Sequence, residues 1–195
     1  MIWRWLIILV LAYGAWTYWH SRPVSHPPGI LVASDPVQAP LDTAPALLKT
    51  GYRITPLQSF SLEARVLSAE RYRFDRGADL APVDLALGWG PMSDQSVIDR
   101  IDISQSGRFY FWHVSQFPIP RRDIETHSAN MHLIPATKEI EDRLESIRIG
   151  QIVAVMGYLV NVQGADNFNW RSSLTREDTG NGACELVWVD RLDVR

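Results

Sequence analysis

The stretch IETHSANMHLIPA, residues 124–136, gathers His127, Ser128, Asn130 and His132 between two apolar ends. Together with His113 upstream and Cys184 downstream, these are side chains able to ligate a metal or to move a proton near neutral pH. A metal pair on a helix needs histidines three or four residues apart, and on a strand an even spacing, so that both rings face one way. His127 and His132 are five apart, which turns them about 140° from each other on a helix and to opposite faces of a strand. Only an irregular loop would bring them together. The spacing therefore favours a loop whose polar side chains cap turns and bond backbone carbonyls where the chain enters a helix. A metal-dependent or Cys/His hydrolase using His113, His127, His132 and Cys184 is the alternative.

Cys184 is the single cysteine, so no disulfide can form within the chain. In ACELVWV it alternates with Leu186 and Trp188, the pattern of a small apolar residue on one strand face, where a thiolate nucleophile is disfavoured. The DTG tripeptide at Asp178–Gly180 sits among polar residues and reads as a turn rather than as half of an aspartic-protease site. Binding candidates remain. Trp89 and Met92 in DLALGWGPMSD either present an aromatic surface to a partner or plug the core. Arg121 and Arg122 in PIPRRD form a basic spot suited to lipid phosphate, and His127, Asn130 and His132 complete the set. Arg65, Arg71, Arg73 and Arg76 interleave with Tyr72 and Phe74, but Glu63, Glu70, Asp75 and Asp79 balance them. With a net charge of −3 and a pI near 5.9, the chain offers no field for a polyanion, so nucleic acid is only a second alternative. No cofactor is implied.

Patterning along the chain indicates the elements on which these residues are carried. Residues 2–19 are nearly all apolar with one charge, Arg4, and aromatic residues Trp3, Trp5, Trp16, Tyr18 and Trp19 cluster at the two ends. Eighteen residues of helix, at about 1.5 Å each, approach the thickness of a bilayer core, so residues 1–20 are expected to be an uncleaved transmembrane anchor. Charge flanks favour N-in, C-out, which places the C-terminal remainder of the chain in the periplasm, at the inner membrane of a bacterium. Prolines from Pro23 to Pro56 mark residues 21–58 as an extended tether with a reach of some tens of ångströms, or, since parts of GILVASDPVQAPL are apolar enough, as a segment lying partly on the domain. Residues 59–195 have the size of one domain.

Within that domain, FSLEARVL alternates as a half-buried strand, and IDISQSGRFYFWHV reads as a hairpin turning at Ser106-Gly107. TKEIEDRLESIRIG is a helix capped by Thr137, and a shorter one begins near Ser93 or Asp94. QIVAVMGYLVNV, FNWRSSL and CELVWVDRLDV add three strands. Three strands, a helix and further strands give a mainly β, OB-like barrel with one principal helix; Gly157 fits a corner or bulge in it. The run IRIGQIVAVMGYLVNV is similar to strands of many OB folds. ALGWGPMSD, HSANMHLIPA and SSLTREDTGNGACELVWV together resemble a family of uncharacterised, membrane-anchored bacterial proteins. That resemblance runs from Phe60 to the C-terminus and implies a domain boundary but no activity. The expectation is an envelope binding or assembly module without catalysis, with the bilayer and an envelope protein as partners.

Overall fold

The computed structural model describes residues 2–20, 22–165, 167–175 and 184–195; the DTG tripeptide lies outside them. In chain order the elements are α1 (Ile2–His20), β1 (Val37–Pro40), β2 (Leu48–Lys49), β3 (Tyr52–Arg71), β4 (Val83–Gly88), a 3-10 turn (Gly90–Ser93) and α2 (Gln95–Ile98). There follow β5 (Asp102–Ser106), β6 (Phe109–His113), α3 (Arg121–Thr126), β7 (Ser128–Pro135), α4 (Lys138–Ser146), β8 (Ile152–Gly164), β9 (Asn169–Arg171) and β10 (Glu185–Val194). The protein is mainly β, with one large sheet and a separate β5–β6 hairpin.

The long β3 strand organises the large sheet. Its first part pairs antiparallel with β8 and its last part with β4. From β4 the pairing passes antiparallel to β7, then parallel to β10, then antiparallel to β8. Traced in this order, the pairings return to β3. The side chains enclosed by these five strands are apolar: Phe60, Leu62, Ala64 and Val66 of β3 meet Leu85, Leu133, Val155 and Val187, and Ile140, Leu144 and Ile147 from the α4 segment close one end. The α4 helix begins as expected, with Thr137 Oγ1 accepting from the Ile140 amide and Glu139 and Glu141 in the first turn. Gly157 lies opposite a register shift in β10, where a Cβ would collide with the Trp188 carbonyl.

Three expectations are corrected. The second and third strands of the main array are β4 and β7, not the two strands of the hairpin. Every β4 residue and nearly all of β7 are buried, so neither shows the alternation that marks a half-exposed strand in the sequence. The α1 helix forms, but among the described residues no helix is long and apolar enough to cross a membrane. Arg4, Gly14 and the aromatic residues shorten its purely aliphatic stretch to about two turns. Finally, residues 24–40 do not hang free between α1 and the sheet. Val24 donates to the Ile149 carbonyl at 2.8 Å, His26 Nε2 lies 2.7 Å from the Gly150 oxygen, and the Leu31 and Val32 amides bond Ser93 Oγ. Val32 is buried in the main core, and β1 pairs with β3.

Candidate functional site

On β4 and β7 the alternation of a strand sends two chemically distinct sets of side chains to two faces. Val83, Leu85 and Leu87 face Met131 and Leu133 inside the ring of strands. The intervening residues form cross-strand pairs on the outer face: Asp84 opposite His132, Ala86 opposite Asn130 and Gly88 opposite Ser128. That face would be a wet sheet surface, but the β5–β6 hairpin, α2 and α3 cover part of it through a third core that includes Leu67, Met92, Val97, Ile101, Ile124, Tyr110 and Trp112. The polar residues beneath are consequently buried and need partners.

Arg108 supplies the central one. The hairpin turns through Gly107 and Arg108, both at positive φ (58° and 72°), as a two-residue turn matched to strand twist requires. A left-handed arginine is uncommon, and here its side chain is held from several sides. Its Nε and Nη2 donate to the two oxygens of Asp75 at 2.8 Å each, and its Nη1 donates to Asp84 Oδ1 and the Ala81 carbonyl, again at 2.8 Å. The guanidinium stacks 3.7 Å from the Tyr72 ring centroid and 5.3 Å from that of Trp170. Burial pulls the Arg108 pKa down, but hydrogen bonds and charge from Asp75 and Asp84 outweigh it and leave it above its ordinary value. Reciprocally, the Arg108 hydrogen bonds hold the Asp75 carboxyl below the usual range.

Asp84, with a fully buried side chain, also faces His132, whose Nδ1 stands 2.9 Å from Asp84 Oδ2, though neither atom makes a well-directed hydrogen bond. The His132 ring tilts against Trp170, 4.7 Å between centroids. Trp170 is placed by β9, where it pairs with Val162 of β8, and a side chain on Gly77 would press into its ring. His132, Trp170 and Gly77, with Asp75, Arg108 and Phe168, line a cavity of about 620 Å³. It has the composition of a ligand pocket: aromatic walls with a few fixed polar groups.

The candidates from the sequence are dispersed. His132 lines this cavity. Asn130 accepts from Gln105 Nε2 at 2.6 Å and donates to the Arg108 carbonyl, tying the hairpin to β7. His127 caps α3 with its Nδ1 2.9 Å from the Asp123 carbonyl oxygen, and its ring fills the space above Gly90. The expected polar loop is therefore a helix end followed by a strand, and its histidines are not brought together. Trp89, 1% exposed, belongs to the main core, and Met92 is sealed in the third. Arg121 is an exposed partner of Glu125 beside Trp112, and Arg122 is exposed on the same helix. The balance expected between the arginines and acids of residues 63–79 takes a different form: Asp75 serves Arg108, Asp79 accepts from the Tyr52 hydroxyl, and Arg65 is buried, donating to Gln95 and the Ser93 carbonyl.

Cys184 also departs from expectation. It precedes β10 and is half-buried in the wall shared with a second cavity of about 660 Å³, which His113, Phe111 and Phe117 help to line. Its Sγ lies 3.8 Å from Asn130 Nδ2. Among the described residues no group of three or more His, Cys, Asp or Glu can hold a metal ion.

Asp84, Arg108 and Trp170 went unread in the sequence. For Asp84 a signal existed: one carboxylate inside the apolar run PVDLALG needs a buried cation. Comparison of the chain with protein-family models, with curated proteins and with solved structures finds no match.

Proposed function

We propose that the chain is a membrane-anchored binding module of the bacterial envelope, in which an OB-like barrel takes a ligand or partner segment at the Trp170 cavity and performs no catalysis. Support for the barrel comes from connectivity: the order β3, β4, β7, β10, β8 with α4 between β7 and β8 is that of an OB-like fold. In such folds ligands lie over the second and third strands, between the loop after strand one and the loop after strand four. The cavity draws Asp75 and Gly77 from the first of these loops, His132 from the third strand and Phe168 and Trp170 from the second loop. That correspondence is the observation that carries the proposal. Support for the anchor is that Trp3, Trp5, Leu6, Ile7, Ile8, Leu9, Val10, Leu11 and Tyr13 are all more than half exposed, an apolar surface that water does not favour. Nucleic acid fits less well, because the cavity's central cation is already matched by Asp75 and Asp84.

Crosslinking a tagged, full-length copy in intact cells, with identification of the captured molecules, tests this. A specific adduct is expected from the native chain and from Leu48→Ala, and is expected to be lost in Trp170→Ala. Retention of every adduct by Trp170→Ala would remove the cavity as the binding site.

A second reading, a thiol hydrolase, is favoured by one observation: Cys184 and the Asp84-paired His132 share the cavity. It requires an activated thiolate. Alkylation of Cys184 by iodoacetamide with a midpoint well below the ordinary thiol value of about 8.5 would support it, and an ordinary midpoint would end it.

A further inference from the structure

The chain leaves little free length between α1 and the sheet. The helix ends at His20, and Val24 is already bonded to the Ile149 carbonyl. Four residue steps reach at most about 14 Å, even fully extended. The attachment is also firm. Gly150 sits at φ 88°, and any Cβ there would collide with the Val24 carbonyl, so the two segments pack backbone to backbone. Downstream the strap has no slack: the His26 amide donates to Gln95 Oε1 at 3.0 Å, and the Gly29 amide donates to Asp94 Oδ1 at 3.0 Å. A stalk of some tens of ångströms, as the proline content suggests, is excluded by these contacts.

If α1 is held by lipid, this contour fixes which end of the head meets the bilayer. The polar headgroup layer adds roughly 5 to 8 Å on each side of the hydrocarbon core, so a reach of at most about 14 Å from the helix end keeps the Ile149–Gly150 corner within or less than about 10 Å beyond that layer. The residues there suit it. Ile149 is 40% exposed, and on the strap that is bonded to it at Val24, Ile30 is 55% exposed and is followed by Leu31. Arg22 is exposed directly after the helix, and Arg148 is half-buried next to Ile149. Arg71 is turned inward, donating to the Glu145 and Ile147 carbonyls at the end of α4. Apolar side chains flanked by arginines are the combination that rests in an interface, with the aliphatic groups in the acyl boundary and the guanidinium groups on phosphate. The Trp170 cavity lies elsewhere. From Ile152, two residues after Gly150, β8 runs to Val162, which pairs with Trp170, a strand path of roughly 30 Å.

We propose that the Ile149–Gly150 end of the head docks directly on the phospholipid headgroup layer, so that the Trp170 cavity opens away from the membrane toward ligands in the aqueous compartment. This rests on the reading of α1 as a lipid anchor. The test uses the full chain in liposomes of phosphatidylethanolamine and phosphatidylglycerol, with the photoreactive residue benzoylphenylalanine placed at position 149, at position 30 or, as a distal control, at position 48. Flotation with the liposomes reports on the anchor by itself. Flotation with lipid adducts at 149 and 30, at least several-fold above those at 48, is the expected result. Flotation with adducts at 149 and 30 no higher than at 48 overturns the docking while leaving the anchor intact. Failure to float removes the anchor, and the docking with it.

Discussion

The two faces of β4 and β7 are both buried, yet they are built on opposite rules. Inside, Leu85, Leu87, Met131 and Leu133 belong to the main apolar core, and their contribution is transfer from water plus close packing. Outside, one residue away along each strand, the buried Asp84, Asn130 and His132 are joined by the half-buried Arg108 and Gln105 in a polar network. A buried ion pair adds little net stability over an apolar pair of the same shape, because desolvation offsets attraction. The inner face thus accounts for why the chain folds. The outer face retains costly groups that folding does not require, and that is where a binding role is best sought.

The most severe challenge to this division is Arg108→Met. It leaves Asp84, fully buried, without its cation, and a loss of about 3–5 kcal/mol is expected in urea unfolding of the full chain. A loss below about 1 kcal/mol would mean that Asp84 is not an uncompensated charge in that variant, and the outer face would then be less polar in effect than its geometry implies. Leu133→Ala probes the inner face. A cavity left among residues that cannot collapse is expected to cost about 2–5 kcal/mol, with crosslinked adducts at the Trp170 cavity unchanged. Loss of those adducts in a variant that remains folded would show the two faces to be coupled.

Asp75→Asn gives the smallest effect and carries a pH signature. Because Arg108 lowers the folded-state pKa of Asp75 below its ordinary 3.8, the unfolded chain takes up the proton first as pH falls. The stabilisation is therefore complete above about 3.8 and declines as pH drops through the folded value. With the Asp75 side chain 37% exposed, solvent screening limits it to about 1 kcal/mol or less. Unfolding curves at pH 7 and at pH 3 should differ less for Asp75→Asn than for the native chain, and an unchanged difference would assign the acid sensitivity to other carboxylates.

Legibility in the sequence divides along the same line. Strands with one wet face announced themselves: residues 60–66 alternate, and all four apolar members are in the core. The hairpin and the α4 helix were legible for the same reason, since each has an exposed side. β4 and β7 were not, because covering both faces erases the periodicity. The alternating pattern puts the hairpin strands second and third in the order of three strands, a helix and more strands, positions that β4 and β7 hold in the main sheet. The site was illegible for a further reason. Arg108 reaches Asp75 and Asp84 across 33 and 24 residues, and Trp170 meets His132 across 38, distances over which local spacing carries no information. The five-residue histidine spacing implies an irregular loop in residues 124–136, whereas the segment is the end of α3 followed directly by β7.

The parallel pairing of β10 with β7 sets a timetable for biogenesis. β10 borders both β7 and β8, so neither the apolar interior nor the pocket wall at Cys184 can form until residues 185–194 have been synthesised. A contact of this sequence separation is late and slow to make, since the intervening loop must be ordered first. Through that interval the facing edges of β7 and β8 stay unpaired and their apolar side chains uncovered, the stage at which a chain of this topology is prone to aggregate.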